Sequence, residues 1–131
     1  MIELEKQPFS IQLKTMVRGD IFIASLGSAF TNMIFMIPHS VVISIIPPYQ
    51  FGPFFQTLSY FTRIHYISLF NTTEEIMNEC KQYINYIGEV HFNFECHQRY
   101  YDMNIYMPPG IHYSQLIVAK EYIHMKKYNV L

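Results

Sequence analysis

Gly27, Ser28, Thr31 and Asn32 lie close together, directly after the apolar run Ile21-Phe22-Ile23-Ala24. Their types suit one kind of chemistry. Small residues let a ligand approach the backbone, while two hydroxyls and an amide can meet phosphate or sugar oxygens. A helix starting there would turn its unpaired amides and the positive end of its dipole toward an anion. Open α/β sheets hold phosphate groups in this way, at the carboxyl end of a strand and the amino end of a helix. A Gly-Ser pair in this place also serves as a plain turn with a serine cap, and the residues alone leave both readings open. Arg63, at a later helix–strand junction, suits either a diphosphate or the carbonyls at its own helix end.

Other polar residues offer less. Tyr49 and Gln56 follow the second apolar strand and could touch a nucleotide or simply pack. His39 and His65 read as turn and strand residues, because no carboxylate stands at a spacing that would orient them as bases. Asp102 reads as a surface or capping residue. His91 and His97 flank Cys96 without any metal-ligand spacing, so no metal site is expected. Cys80 and Cys96 could form one disulfide or remain two buried thiols. Asn71-Thr72-Thr73 is an N-glycosylation sequon, although Thr72 also fits a helix cap.

The elements that must position these residues alternate. Met1 to Glu5 is a strand candidate, and Pro8 and Ser10 open a helix carrying Phe9, Leu13, Met16 and Val17 toward Arg18-Gly19. Ile21 to Ala24 reads as a strand buried on both faces. A short helix from Ser28 to Met36, the turn Pro38-His39 and a fully buried strand Val41 to Ile46 follow. Gly52-Pro53 starts a helix with Phe54, Leu58 and Phe61 on one side, leading through Arg63 into a strand from Ile64 to Leu69. Thr72 and Glu75 form a capping box for a helix with Ile76, Cys80, Tyr83, Ile84 and Ile87 on one stripe. The segment from Gly88 to Met107 alternates partly, as a strand or an extended connection. Pro108-Pro109-Gly110 breaks the chain before a terminal helix from His112 to Lys126. Strand and helix alternating over short connections predict an α/β domain with a mainly parallel sheet and helices on both faces.

Composition bounds the rest. A chain of 131 residues, half of them hydrophobic and 17% aromatic, holds one domain with a real core. Charged residues make up only 15%, against roughly 25% in an average soluble domain. That balance suggests apolar surface covered by another domain, a partner or a membrane-proximal face. The net charge of -1 supplies no basic stripe, so nucleic acid is not an expected partner. The pair Lys126-Lys127 reads as a solvated helix end. No apolar run approaches the roughly 18 residues of a spanning helix. Glu3, Glu5 and Lys6 interrupt the N-terminus, so it does not read as a signal peptide. The abrupt start in a strand-like run suggests a domain cut from a longer protein.

The stretch from Asp20 to Pro48 resembles the most recognisable block of glycosyltransferase family 61, which includes EGF-domain O-GlcNAc transferases and plant xylosyltransferases. In family form that block is an acidic residue and apolar strand, H-G-A-G-L-T-N, an apolar helix, a Pro-containing turn, and a Val-rich strand ending in Glu before Pro. Asp20-Ile21-Phe22-Ile23 matches the strand. Gly27, Thr31 and Asn32 match the turn, with Ala29 matching by smallness one place along. Phe35, Pro38, Ser40-Val41-Val42 and Pro47 follow in order. Phe9-Ser10-Ile11-Gln12 is similar to the preceding helix, and Tyr101 to Ile105 is loosely similar to the closing segment. The match covers about residues 8 to 70.

The resemblance implies a Rossmann-like domain over residues 1–131, the C-terminal nucleotide-sugar-binding half of a two-domain GT-B enzyme whose N-terminal domain is missing here. It implies transfer of a sugar from a donor such as UDP-GlcNAc or UDP-xylose to a glycan or glycoprotein hydroxyl, without a metal cofactor. Donor contacts would fall on Gly27, Ser28, Thr31 and Asn32, with Arg63 added, and the full-length protein would sit in the Golgi or endoplasmic reticulum lumen if anchored. In that setting Asn71 would be glycosylated. Two positions depart from the family: its His before the first Gly is Leu26 here, and its Glu on the second strand is Ser44. Leu cannot donate to a phosphate, and Ser44 cannot act as a carboxylate. The departures point to an alternative, a non-catalytic homologue that binds a nucleotide sugar or a protein partner. No general base can be named.

Overall fold

A computed structural model describes residues 4–47, 53–70 and 109–127. They form an α/β arrangement around a three-stranded parallel sheet with strand order β1-β2-β3. The strands are β1 (Ile21–Ser25), β2 (Val41–Ile46) and β3 (His65–Phe70). Helix α1 (Phe9–Arg18) precedes β1, and a 3-10 helix (Ser28–Phe35) crosses from β1 to β2. Helix α2 (Pro53–Thr62) comes between β2 and β3, and α3 (Pro109–Lys127) closes the order.

Strand register follows the apolar pattern. Ile21 pairs with Val41 and Val41 with His65, so the strands start level. The β-branched run of β2 is the centre of the sheet, and Val41, Val42, Ile43 and Ser44 are all fully buried. A parallel strand covered on both faces favours such a run, because each alternate side chain meets a packed layer. One layer joins Phe22, Ala24, Val42 and Tyr66 of the strands to Met16 of α1, Phe30 and Met33 of the 3-10 helix, and Phe55 and Leu58 of α2. The opposite layer joins Val41, Ile43 and Leu69 to Ala119, Tyr122 and Ile123 of α3. Ala119 is fully buried there, and a side chain that small lets the helix come close to the sheet. Phe30 centres the first layer, its ring 5.2 Å from Phe22, 5.4 Å from Phe55 and 6.4 Å from Tyr66.

The helix ends have local causes. Pro8 stands at the N-cap of α1, where a missing amide costs nothing, and its carbonyl accepts from Ile11 and Gln12. α2 ends in a Schellman motif: the Arg63 amide donates to the Tyr60 carbonyl (3.2 Å), and the Ile64 amide to that of Ser59 (2.9 Å). Arg63 takes the left-handed position of that motif, with φ 57°. Buried Ile64 and partly buried Leu58 belong to one apolar cluster beneath it. The turn before β2 is similar in kind. Pro38 and His39 are its central residues, the Ser40 amide donates to the Ile37 carbonyl (3.1 Å), and His39 has φ 72°. A Pro followed by a positive φ is the type II pattern, which normally takes Gly in second place.

Several expectations change. Residues 4–6 form a short 3-10 turn rather than the end of a strand. β1 is half-buried instead of enclosed on both faces, because it lies at the edge of the described sheet. On α2 the packed side is Phe55 and Leu58, while Phe54 and Phe61 are 62% and 75% exposed. On α1 only Met16 is fully buried, and Phe9 instead lies across Phe35 with ring centres 5.8 Å apart. The expected capping box at Thr72, the helix and extended segment beyond it, Cys80, Cys96 and Asp102 lie outside the described residues.

Candidate functional site

The chain leaves β1 through Ser25 and Leu26, whose amide donates to the Ile45 carbonyl (2.8 Å) and so extends the β2 pairing past the strand end. The 3-10 helix then starts at Ser28. A cavity of about 550 Å³ opens at this junction, lined by Leu4, Gln12, Gly27, Ser28, Ala29, Thr31 and Asn32. Four of the five residues assigned to donor contacts from the sequence therefore share one cleft, at the carboxyl end of β1.

Each contributes differently from the expectation. Gly27 is fully extended (φ 176°, ψ -179°), and a Cβ there would meet only the Ser25 carbonyl at 3.8 Å. The backbone turn therefore does not demand glycine, and its use is the open space it leaves in the cleft. The Thr31 hydroxyl donates to the Ser28 carbonyl (2.7 Å), which leaves only its oxygen lone pairs for a ligand. Asn32 Nδ2 donates to Gln12 Oε1 (3.2 Å), and Gln12 Nε2 to the Gln7 carbonyl (2.9 Å). That relay ties the 3-10 helix to α1 and orients the Asn32 amide across the cleft wall. Phe30 donates its amide to the Gly27 carbonyl (3.1 Å), so among the described residues Ser28 and Ala29 are the helix's unmatched amides. Both amides and the exposed Ser28 hydroxyl are donors available to an anion.

Gln12 is the wall residue that spacing did not single out as a ligand. Its only sequence signal is its place in Phe9-Ser10-Ile11-Gln12, the segment similar to the family's preceding helix. Arg63 lies elsewhere. It precedes β3, and its carbonyl accepts from the His39 amide (2.8 Å) at the amino ends of β2 and β3. A strand's length, roughly 15–20 Å, separates it from the cleft. Gln56 is exposed on α2, and its carbonyl accepts the Ser59 hydroxyl (2.7 Å). Tyr49 and the sequon Asn71 lie outside the described residues. His65 opens β3 and stacks on Tyr122 of α3, with ring centres 4.3 Å apart.

The two positions that depart from the family do not face the cleft. Leu26 is half-buried and Ser44 is 0% exposed. Ser44 Oγ and Tyr66 Oη are both buried with no hydrogen-bond partner among the described residues. Burial pushes the Tyr66 hydroxyl above its usual value of 10.0, and the neighbouring Ser44 hydroxyl offsets part of that rise. The two groups are thus near each other without making a well-formed hydrogen bond.

Among the described residues that line the cleft none has an ionisable side chain, so anion binding by these residues depends on amides, a hydroxyl and the helix end. Among the described residues no cluster of His, Cys, Asp or Glu is suited to hold a metal ion, and no helix is long and apolar enough to cross a membrane. Compared with protein-family models, curated proteins and solved structures, the chain matches none.

Proposed function

We propose that this chain is the nucleotide-sugar-binding part of a family-61-like glycosyltransferase, a Rossmann-like domain equivalent to the C-terminal half of a GT-B enzyme. One observation carries the reading: Gly27, Ser28, Thr31 and Asn32 line one cleft at the carboxyl end of a parallel strand, where Ser28 and Ala29 present unmatched amides. In this reading the donor diphosphate meets those amides and the Ser28 hydroxyl, and donor hydroxyls meet Asn32 and Gln12. As the glycosidic bond to the donor breaks, the same amides stabilise the departing diphosphate without a metal. The acceptor is a glycan or glycoprotein hydroxyl, and its base comes from the second domain. The setting is the Golgi or endoplasmic reticulum lumen, with Asn71 glycosylated.

A second reading, a non-catalytic nucleotide-sugar binder, is favoured by the lack of an ionisable side chain among the described residues that line the cleft. Arg63 belongs to neither version of the site, given its place at the other end of the sheet. The test is calorimetric titration of UDP-GlcNAc, UDP-xylose and UDP into the chain and into Ser28→Trp. Binding by the native chain that is lost in the variant is the expected result. No binding of any of the three by the full-length protein at millimolar concentration removes both readings. Sugar transfer by the full-length protein then separates the catalytic from the non-catalytic version.

A further inference from the structure

At the opposite end of the sheet a second cavity, of about 300 Å³, is lined by Asp20, His39, Ser40, Ile123 and Lys126, together with Ile37 and Pro38. The elements that build it are held firmly. Asp20 leads into β1 and its carbonyl accepts the Val41 amide (2.9 Å), while Ser40 leads into β2 and its carbonyl accepts the His65 amide (2.9 Å). The α3 wall is held by Tyr122 stacked on His65 and by Ile123 packed against the sheet. Among the described residues, the side chains of Asp20, His39 and Lys126 have neither a hydrogen-bond nor an ion-pair partner. Asp20 and His39 are exposed and Lys126 is half-buried, so charges of both signs border this open cavity.

Backbone conformation adds an independent observation. His39 and Arg63 are the two non-glycine residues with positive φ among those described, at 72° and 57°, and the His39 amide donates to the Arg63 carbonyl. Glycine is the low-strain residue at both places. The left-handed turn fixes the place of exposed His39 at the rim of this cavity.

We propose that this cavity binds a small phosphorylated polyol. The Lys126 ammonium and a His39 ring donor suit the phosphate oxygens. The Asp20 carboxylate accepts and does not donate, so it selects a hydroxyl. Ile37, Pro38 and Ile123 supply an apolar wall for the carbon skeleton. The volume is at the lower end of the range for small-molecule sites, which limits the ligand to a few carbons. A divalent cation does not suit the site, because Lys126 opposes it and Asp20 is the one carboxylate among the described lining residues.

The probe is glycerol phosphate, titrated calorimetrically into the chain beside inorganic phosphate and glycerol. The native chain is expected to prefer glycerol phosphate over both. His39→Gly and Lys126→Met each weaken that binding about tenfold or more, the effect of losing one charge-assisted hydrogen bond. His39→Gly also raises the unfolding midpoint, since glycine suits the turn, so lost binding in it is not lost folding. Asp20→Asn removes the preference over inorganic phosphate. Ser28→Trp leaves all of this unchanged, which separates this site from the cleft at the other end. No preference in the native chain, or native affinity in His39→Gly or Lys126→Met, overturns the proposal.

Discussion

Ser44→Ala is expected to stabilise the protein. Ser44 is 0% exposed at the centre of the sheet, and its Oγ has no hydrogen-bond partner among the described residues. A buried unsatisfied hydroxyl costs about 1–3 kcal/mol relative to its hydration in the unfolded chain. Alanine removes that cost and leaves a space of only one oxygen atom, with a small loss of strand propensity. The net gain is about 1 kcal/mol, or a rise of roughly 3–6 °C in midpoint for a domain of this size. Urea unfolding followed by far-ultraviolet circular dichroism measures it, a suitable probe for a chain without tryptophan. Tyr66→Phe should act in the same direction, and the double variant gives the coupling between the two hydroxyls. A loss of 1 kcal/mol or more in Ser44→Ala would refute the reasoning, because it would mean that the hydroxyl is satisfied. The reciprocal substitution, Ser44→Glu, restores the residue type of the similar family. It buries a carboxylate without a cation, at a cost of several kcal/mol. With total stability typically about 5–15 kcal/mol, that variant is expected to unfold or to hold its carboxyl protonated.

Arg63→Gly relieves the left-handed strain at the end of α2 and should gain about 0.5–1 kcal/mol after the entropy cost of glycine, read from thermal unfolding. It should also leave UDP binding unchanged, since Arg63 lies at the other end of the sheet from the cleft. Phe30→Ala removes the ring that touches Phe22, Phe55 and Tyr66 and should cost about 3–5 kcal/mol in denaturant unfolding. Stability should also fall at high pH through Tyr66. Its folded pKa is raised above 10.0, so this contribution is fully present below pH 10.0 and is lost as pH rises through the higher folded value. Tyr66→Phe should flatten that loss, as the difference between the two stability profiles shows.

How far the fold was legible depended on what each signal measures. β2 could be read residue for residue, because its β-branched run is bounded by Pro38-His39 on one side and Pro47 on the other. β1 carries an equally apolar run, yet it lies at the edge of the described sheet. Strand order is a tertiary property, and an apolar run alone does not report it. On α2 the aromatic residues at 54, 55 and 61 allow two overlapping stripes, and the sheet selected the one with Phe55 and Leu58. The crossover between β1 and β2 was placed correctly as a helix. Its 3-10 form was not legible, because the periodicity over so few residues does not separate the two helix types.

The site follows the same logic with one added constraint. In a parallel sheet, residues that follow a strand gather at its carboxyl end, and residues that precede one gather at its amino end. Gly27, Ser28, Thr31 and Asn32 follow β1, whereas Arg63 precedes β3. Once the strands were assigned, their order along the chain was enough to separate Arg63 from the other four. The separation has a chemical consequence. Without Arg63, the cleft offers a diphosphate two amides, one free hydroxyl and the end of a short helix. Hydrogen bonds to a charged group contribute about 1.5–3 kcal/mol each, so this set supports affinity nearer millimolar than nanomolar before the cost of association. In the proposed two-domain enzyme, the remaining cationic contacts and the base come from the same place, the second domain. Binding and catalysis would then be completed together, when the domains close on the donor.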